Sequence, residues 1–241
     1  MADPVKLNDR HSEFKKKAME LIPEGGNLDL CFTCGTCASG CPATGLENMD
    51  PRKFLRMVLL GMDEEVASTP WVWMCTMCQR CIKACPMSVD IPQLVYWVRD
   101  AWPRDKRPTG ILKSCDVAMN TETCSAMGAS VEDWTFVVED VLEEVRESQP
   151  GWEDLQAPMD KAGAEFCLNQ NSREPVTEPD EMVPLWKILH TVGADWTYPS
   201  KGWGGENYCM FLADSEAWEK MVRFKAKVVD DLGCKYWLNT E

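Results

Sequence analysis

Apolar side chains recur at helical spacing through much of the first hundred residues. This pattern predicts three helices, at residues 12–22, 51–60 and 92–102. The second has clear signals at both ends, with Asp50 as the preceding N-cap and Gly61 as the stop. We therefore expect the N-terminal part of the chain to be mainly α-helical.

The pattern changes after residue 130. Ser130 and Asp133 have the spacing of a capping box, and they introduce a predicted helix at residues 131–147. Strands and helices then alternate; the predicted strands are 162–169 and 234–240, and the predicted helices are 184–193 and 217–233. This alternation predicts an α/β unit with a parallel sheet.

A segment rich in proline, glycine and charge separates the two patterns at residues 103–110. It predicts a boundary between an N-terminal domain, 1–105, and an acidic C-terminal domain, 106–241. The basic residues at and just before this boundary are interpreted as a solvated linker; they are Arg99, Arg104, Lys106 and Arg107. Because the chain ends on a predicted strand, we expect the α/β domain to be partial and the natural polypeptide to continue past Glu241.

The net charge of −14 is concentrated in the second half of the chain. Residues 1–110 contain 14 basic and 14 acidic residues, whereas residues 111–241 contain 11 and 25, which gives −14. Nucleic-acid binding needs a basic surface, so this distribution argues against it.

The apolar stretches of the sequence are short. None approaches the roughly 18 residues that a membrane-spanning helix needs. The first eleven residues, MADPVKLNDRH, also lack the apolar core of a signal peptide. We therefore expect a reducing, cytoplasmic environment, in which the 13 cysteines indicate metal binding rather than a disulfide framework.

Eight of the cysteines follow one spacing that is written twice, C-x2-C-x2-C-x3-C-P. The first run is Cys31, Cys34, Cys37, Cys41 and Pro42, and the second run is Cys75, Cys78, Cys81, Cys85 and Pro86. Three cysteines spaced by three can surround one iron–sulfur cluster, but the fourth cannot join them. In the bacterial two-cluster pattern the fourth cysteine ligates the other cluster.

The spacing therefore predicts two [4Fe-4S] clusters with crossed ligands. The predicted ligands of cluster 1 are Cys31, Cys34, Cys37 and Cys85, and those of cluster 2 are Cys75, Cys78, Cys81 and Cys41. Gly35 and Gly40 are predicted to let the backbone approach the cluster sulfides. Trp71 and Trp73, just before the second run, either exclude water from a cluster or are ordinary core residues.

Other uses of cysteine fit this spacing less well. A zinc site needs two C-x2-C pairs and would leave the third and fourth cysteines of each run without a role. Covalent haem attachment needs a histidine directly after C-x2-C, and none of the pairs is followed by one.

The N-terminal region resembles the C subunit of heterodisulfide reductases, a family with a helical two-cluster ferredoxin. The resemblance covers roughly residues 25–105. It rests on the paired cysteine runs, the helix between them, the sequence WVWMC that enters the second run and the sequence PQLVYWVRDAW that leaves it. It implies a mainly α helical ferredoxin that holds two [4Fe-4S] clusters.

The C-terminal half resembles the beginning of the cysteine-rich CCG domain of fused D-type subunits in the same family. That domain spaces one cysteine, a Cys-Cys pair and a C-x-x-C across an α/β unit. Cys167 matches the first cysteine, and Cys209 stands where the pair is expected, with Tyr208 replacing its partner. The resemblance makes Cys167 and Cys209 candidate ligands of a third cluster, and the alternative is that both are buried free thiols.

Two functions from different classes remain open. The first is an electron-transfer subunit of a membrane-associated complex, as in heterodisulfide reductase, the high-molecular-weight cytochrome c complex or the Dsr complex of sulfate reducers. The resemblance then implies an integral membrane subunit and further iron–sulfur or cytochrome subunits as partners, with this chain cytoplasmic and peripheral at the inner membrane. The alternative is a catalytic heterodisulfide or thiol–disulfide reductase subunit with an additional C-terminal cluster.

Overall fold

The computed structural model describes residues 12–205 and 207–240. The N-terminal segment considered above for a signal peptide, and the expected continuation past Glu241, lie outside the described residues. The chain forms two compact units. The first comprises the residues up to Pro108 together with Phe211–Ala213, and the second comprises Thr109–Met210 and the residues from Asp214 onward.

The regular secondary structure of the first unit is helical throughout its described residues. Its α-helices are α1 (Glu13–Leu21), α2 (Thr36–Ser39), α3 (Pro51–Leu59), α4 (Asp63–Ser68), α5 (Arg80–Ala84) and α6 (Ile91–Asp100). Short 3-10 segments connect them at Pro23–Leu30, Leu46–Asn48, Pro70–Trp73 and Arg104–Lys106. The three helices predicted here correspond to α1, α3 and α6.

Side-chain caps fix the starts of the three longer helices. Ser12 Oγ accepts the Lys15 backbone N–H at 2.9 Å, and Asp50 Oδ1 accepts that of Lys53 at 2.8 Å. The carboxylate of Asp90 caps α6 in the same way. Each cap satisfies a backbone donor that has no partner within its own helix.

The second cysteine run is tied to the core of the first unit by Trp71. Its ring packs against Phe54 of α3 with centroids 5.3 Å apart, and its Nε1 donates to the Ala43 carbonyl at 2.9 Å. Ala43 follows the first cysteine run, so this one side chain connects both runs and the helix between them. The surrounding buried side chains include Leu28, Leu55, Val58, Leu94, Val95 and Val98.

The rest of the chain combines helices with a small sheet. Its helices are α7 (Thr109–Asn120), α8 (Val131–Ser148), α9 (Arg173–Thr177), α10 (Val183–Thr191), α11 (Tyr208–Phe211) and α12 (Ser215–Asp231), with a 3-10 segment at Pro179–Met182. The strands are β1 (Phe166–Leu168), β2 (Trp196–Thr197) and β3 (Tyr236–Leu238). The predicted capping box is present, because Ser130 and Asp133 each bond to the other's backbone N–H.

The three strands form a parallel sheet in the order β2-β1-β3, with Phe166 of β1 opposite Trp196 of β2 and Tyr236 of β3. A mainly α first part followed by a partial α/β part is therefore confirmed. Strand β2 has no counterpart among the predicted strands, because two residues are too few to show an alternating pattern. Within the described residues, no helix is both long and apolar enough to cross a membrane.

The core of the second unit is built around Trp134 of α8. Its ring stacks on Trp203 with centroids 4.2 Å apart, and its Nε1 donates to the Pro199 carbonyl at 3.1 Å. Tyr198 meets the same ring edge-on at 4.9 Å, and its hydroxyl donates to Gln170 Oε1 at 2.5 Å. These contacts hold α8 against the segments that follow β1 and β2.

Replacing Trp134 with alanine should destabilise the second unit. Trp134→Ala removes a fully buried ring and its hydrogen bond, and we expect a loss of about 3–5 kcal/mol. The measurement is urea unfolding followed by far-UV circular dichroism. Phe136→Ala is the matched control on the same helix, because Phe136 is 65% exposed and should change stability by less than about 0.5 kcal/mol. Equal losses in the two variants would contradict this assignment of the core.

Candidate metal centre

The eight cysteines of the two runs line two cavities. The first cavity is lined by Cys31, Cys34, Cys37 and Cys85, and the second cavity is lined by Cys41, Cys75, Cys78 and Cys81. The fourth cysteine of each run thus lies in the cavity formed by the other run. The sets are those predicted for clusters 1 and 2; their role as ligands stays a prediction.

The two runs have the same backbone conformation at equivalent positions. In the first run Thr33 and Gly35, on either side of Cys34, have φ angles of 64° and 88°. In the second run Met77 and Gln79 flank Cys78 with φ angles of 55° and 60°. Left-handed residues are uncommon outside glycine, and their clustering around both central cysteines marks a backbone that is constrained for a function.

Short helices carry the later cysteines of each run. Cys37 lies on α2 and Cys81 lies on α5, and these two helices pack against each other. Cys41 and Cys85 follow shortly after them, so each is carried across to the neighbouring cavity. The side-by-side packing of α2 and α5 is what permits the crossed arrangement.

Electrostatic interactions show that the thiols converge. Burial, followed by the neighbouring thiols of Cys31 and Cys85, raises the pKa of Cys37 to about 11. Burial, followed by the neighbouring thiol of Cys75, raises the pKa of Cys81 to about 12. A raised pKa means that the thiolate form is disfavoured there. Four thiolates in one cavity need a positively charged centre between them to be stable.

The central cysteine of each run differs from its neighbours. Cys34 and Cys78 are exposed. A hydrogen bond from the Thr36 side chain lowers the pKa of Cys34, and a hydrogen bond from the Arg80 backbone N–H lowers the pKa of Cys78. Each cavity thus has one exposed edge at which its contents approach the protein surface.

The cavities suit a polynuclear cluster. Among the described residues, no group of three or more His, Cys, Asp or Glu side chains is arranged to hold a single metal ion. Four cysteine thiols around each cavity fit the ligand set of an iron–sulfur cluster.

Apolar side chains form the inner walls of both cavities. The buried side chains of Leu55 and Val89 line the first, while the buried ring of Trp71 lines the second. Trp71 is therefore a core residue that also lines the second cavity, and its shielding of a cluster from water stays a prediction.

The two glycines of the first run differ in their positions. Gly35 lines the first cavity, but Gly40 lines neither cavity. The interpretation of Gly40 as a residue that lets the backbone approach a cluster is therefore not supported.

Arg99 corrects the interpretation of the basic segment as a solvated linker. Arg99 is 1% exposed and Arg107 is 8% exposed. Arg99 donates to the carbonyls of Val72 and Cys75 at the start of the second run. Burial lowers its pKa to about 10, so the guanidinium remains protonated at neutral pH. Sequence reasoning missed this contact because its acceptors are backbone carbonyls, which leave no signature in a sequence.

The two candidate ligands of a third cluster have separate partners. Cys209 forms a disulfide with Cys115, with Cα atoms 5.1 Å apart. Cys167 lies on β1 in hydrogen-bond contact with Cys234, and burial together with that neighbour raises its pKa to about 12. No metal-ligand spacing in the sequence links Cys115 or Cys234 to these residues. A third cluster in the second unit stays a prediction.

Comparison with known proteins defines the class of the first unit. Residues 27–89 match the family model described as a 4Fe-4S dicluster domain. The match spans both cysteine runs, and it confirms the expectation of two [4Fe-4S] clusters.

The individual relatives confirm the resemblance to the C subunit of heterodisulfide reductases. The C subunit of the H(2):CoB-CoM heterodisulfide,ferredoxin reductase of Methanothermobacter marburgensis is 37% identical over 93 residues, 38% of this chain and 50% of the relative. An iron-sulfur C subunit of the CoB--CoM heterodisulfide reductase of Methanocaldococcus jannaschii is 36% identical over 102 residues, 40% and 54% of the two chains. A protein of Archaeoglobus profundus that is named as similar to the heterodisulfide reductase C subunit is 34% identical over 92 residues, 36% and 48% of the two chains. The chain thus spans about half the length of the curated relatives that it matches.

Replacing Gly35 with alanine should weaken the first cavity. Gly35 has a φ of +88°, and an alanine there would be strained by about 1–2 kcal/mol. The measurement is the urea concentration at which the anaerobic protein loses its visible iron–sulfur absorbance, which should fall for Gly35→Ala.

The control for Gly35→Ala is Gly40→Ala in the same run. Gly40 has no left-handed φ, and an added Cβ would meet only Arg80 Cδ at 4.0 Å. We expect Gly40→Ala to shift stability by less than about 0.5 kcal/mol. A loss as large as that of Gly35→Ala would show that the backbone angle is not the cause.

Proposed function

We propose that this chain is an electron-transfer subunit of a multi-subunit redox complex of the heterodisulfide reductase type. In this proposal Cys31, Cys34, Cys37 and Cys85 ligate cluster 1, and Cys75, Cys78, Cys81 and Cys41 ligate cluster 2. The observation that carries the proposal is the lining of the two cavities, in which each run supplies three thiols to one cavity and one to the other. A [4Fe-4S] cluster, when bound, supplies one-electron uptake and release.

The protein residues supply burial and access. Leu55 and Val89 at the first cavity and Trp71 at the second keep water from the inner faces of the clusters. A low local dielectric and few solvent contacts are among the factors that set the reduction potential of such clusters. Cys34 and Cys78 are exposed, which supports electron transfer to and from partners at these edges.

The partners and location follow from the same proposal. Two of the relatives named above are subunits of reductases, and an electron relay needs a donor and an acceptor. We propose that an integral membrane subunit and further iron–sulfur or cytochrome subunits are the partners, and that this chain works on the cytoplasmic side of the inner membrane. The acidic charge of the second half supports a neutral or basic protein surface as one contact.

The cluster content of the protein tests this function. Anaerobically purified protein should contain about eight iron atoms per chain, and on reduction with dithionite it should show the EPR spectrum of two interacting [4Fe-4S] clusters. Zinc in place of iron, or the signal of a single cluster, would contradict the proposed relay.

Crossed ligation makes a sharper prediction. Cys41→Ala should remove cluster 2, so that iodoacetamide then modifies Cys75, Cys78 and Cys81. The four ligands of cluster 1 should stay protected. Cys85→Ala should have the reverse effect and expose Cys31, Cys34 and Cys37. The measurement is peptide mass spectrometry after anaerobic alkylation, with the iron content expected to fall by about half in each variant.

Cys124→Ala is the control for both variants, since Cys124 is a buried cysteine of the second unit and lines neither cavity. It should retain full iron content and full protection. If Cys41→Ala instead exposes the cysteines of its own run, the ligation is not crossed.

A further inference from the structure

Arg99 carries a buried positive charge beside the second cavity. Its Nε and Nη2 donate to the Val72 carbonyl at 2.8 and 2.6 Å, and Nη2 also donates to the Cys75 carbonyl at 2.5 Å. Its Nη1 donates to the Phe211 carbonyl at 3.0 Å. These acceptors are neutral, and among the described residues no carboxylate forms an ion pair with Arg99.

A buried charge without an opposite charge is costly. Carbonyl dipoles reduce this cost, but they do not balance a full positive charge. The guanidinium lies over the rings of Trp73 and Phe211, 5.2 and 6.0 Å from their centroids, but these rings carry no net charge. It also donates to the carbonyl of Cys75, a residue that lines the second cavity. The missing negative charge therefore lies in the direction of that cavity.

We propose that Arg99 is the fixed counter-charge of cluster 2 and makes cluster 2 easier to reduce than cluster 1. This inference rests on the proposed function, since it requires that both clusters are bound. Four thiolates outweigh the charge of the iron–sulfide core, and reduction adds one more negative charge. A nearby buried cation therefore stabilises the reduced state more than the oxidised state.

The first cavity has no equivalent of Arg99 among the described residues. None of its lining residues is charged. Arg52 lies near its edge at Gly35, but its side chain is exposed and water screens its charge. A protein that holds one electron should therefore hold it on cluster 2.

Charge removal at Arg99 tests the proposal. Each cluster takes up one electron from the titrant in an EPR-monitored redox titration, and the guanidinium keeps its proton throughout. Arg99→Gln should lower the equilibrium constant for reduction of one cluster about tenfold, which corresponds to about 59 mV for a one-electron couple. The equilibrium constant for reduction of the other cluster should change by less than about twofold. Arg99→Lys keeps the positive charge. In this variant the equilibrium constant for reduction of the same cluster should stay within about threefold of the wild-type value.

Arg80→Gln is the matched control. Arg80 lines the same second cavity and carries the same charge, but its side chain is exposed. Solvent screening should limit its effect to less than about threefold. Equal effects of Arg80→Gln and Arg99→Gln, or equal effects of Arg99→Gln and Arg99→Lys, would overturn the proposal. The proposal would also be overturned if both clusters of the Arg99→Gln protein kept the wild-type equilibrium constants for reduction.

A measurement on the unaltered protein covers the case in which Arg99→Gln does not fold. In paramagnetic NMR of the partly reduced protein, the cysteine β-proton signals that shift with the first electron should belong to Cys41, Cys75, Cys78 and Cys81. If the signals of the first-cavity cysteines shift first, the inference is wrong. Loss of two-cluster EPR signals in the wild-type protein would instead contradict the proposed function itself, so the two failures are distinguishable.

Discussion

The crossing of the fourth cysteine of each run constrains the whole first unit. Cys41 can reach the second cavity, and Cys85 the first, only if the two runs lie side by side. The packing of α2 against α5 provides this arrangement, and the intervening chain must fold back on itself to allow it. Trp71 holds this fold together, since its side chain contacts both Phe54 on helix α3 and Ala43 just after the first run. The apolar core and the candidate metal centre therefore depend on the same contacts.

Burial and charge oppose each other around this centre. Apolar walls keep water away from the thiols, and the same burial raises the pKa values of Cys37 and Cys81. A buried set of thiolates is stable only with positive charge nearby. Iron bound in the cavities would supply most of that charge, and the buried guanidinium of Arg99 lies beside the second cavity. Two cavities with nearly the same backbone can thus differ in the buried positive charge that lies beside them.

Local signals in the sequence predict the helices and the cysteine sets, whereas long-range contacts leave no such signals. Asp50 and Ser130 are caps whose partners lie three residues away, so the sequence alone reveals them. The interpretation of Arg99 as solvated is wrong because its acceptors are carbonyls, one of them on Phe211, 112 positions away. The inclusion of Phe211–Ala213 in the first unit and the Cys115–Cys209 disulfide likewise join residues that are distant in sequence.

The second unit bears on the choice between electron relay and catalysis. Thiol–disulfide exchange requires an accessible thiolate as the attacking group. Cys167 is fully buried with a pKa of about 12, so it is almost entirely protonated at neutral pH. Cys209 is buried and bonded to Cys115, which leaves it no free thiol. Within the described part of the chain, these two cysteines do not have the properties of a nucleophile, whereas the exposed Cys34 and Cys78 lie at the edges of the two cavities. These properties argue against Cys167 and Cys209 as attacking thiols, and they agree with a chain that moves electrons through its first unit.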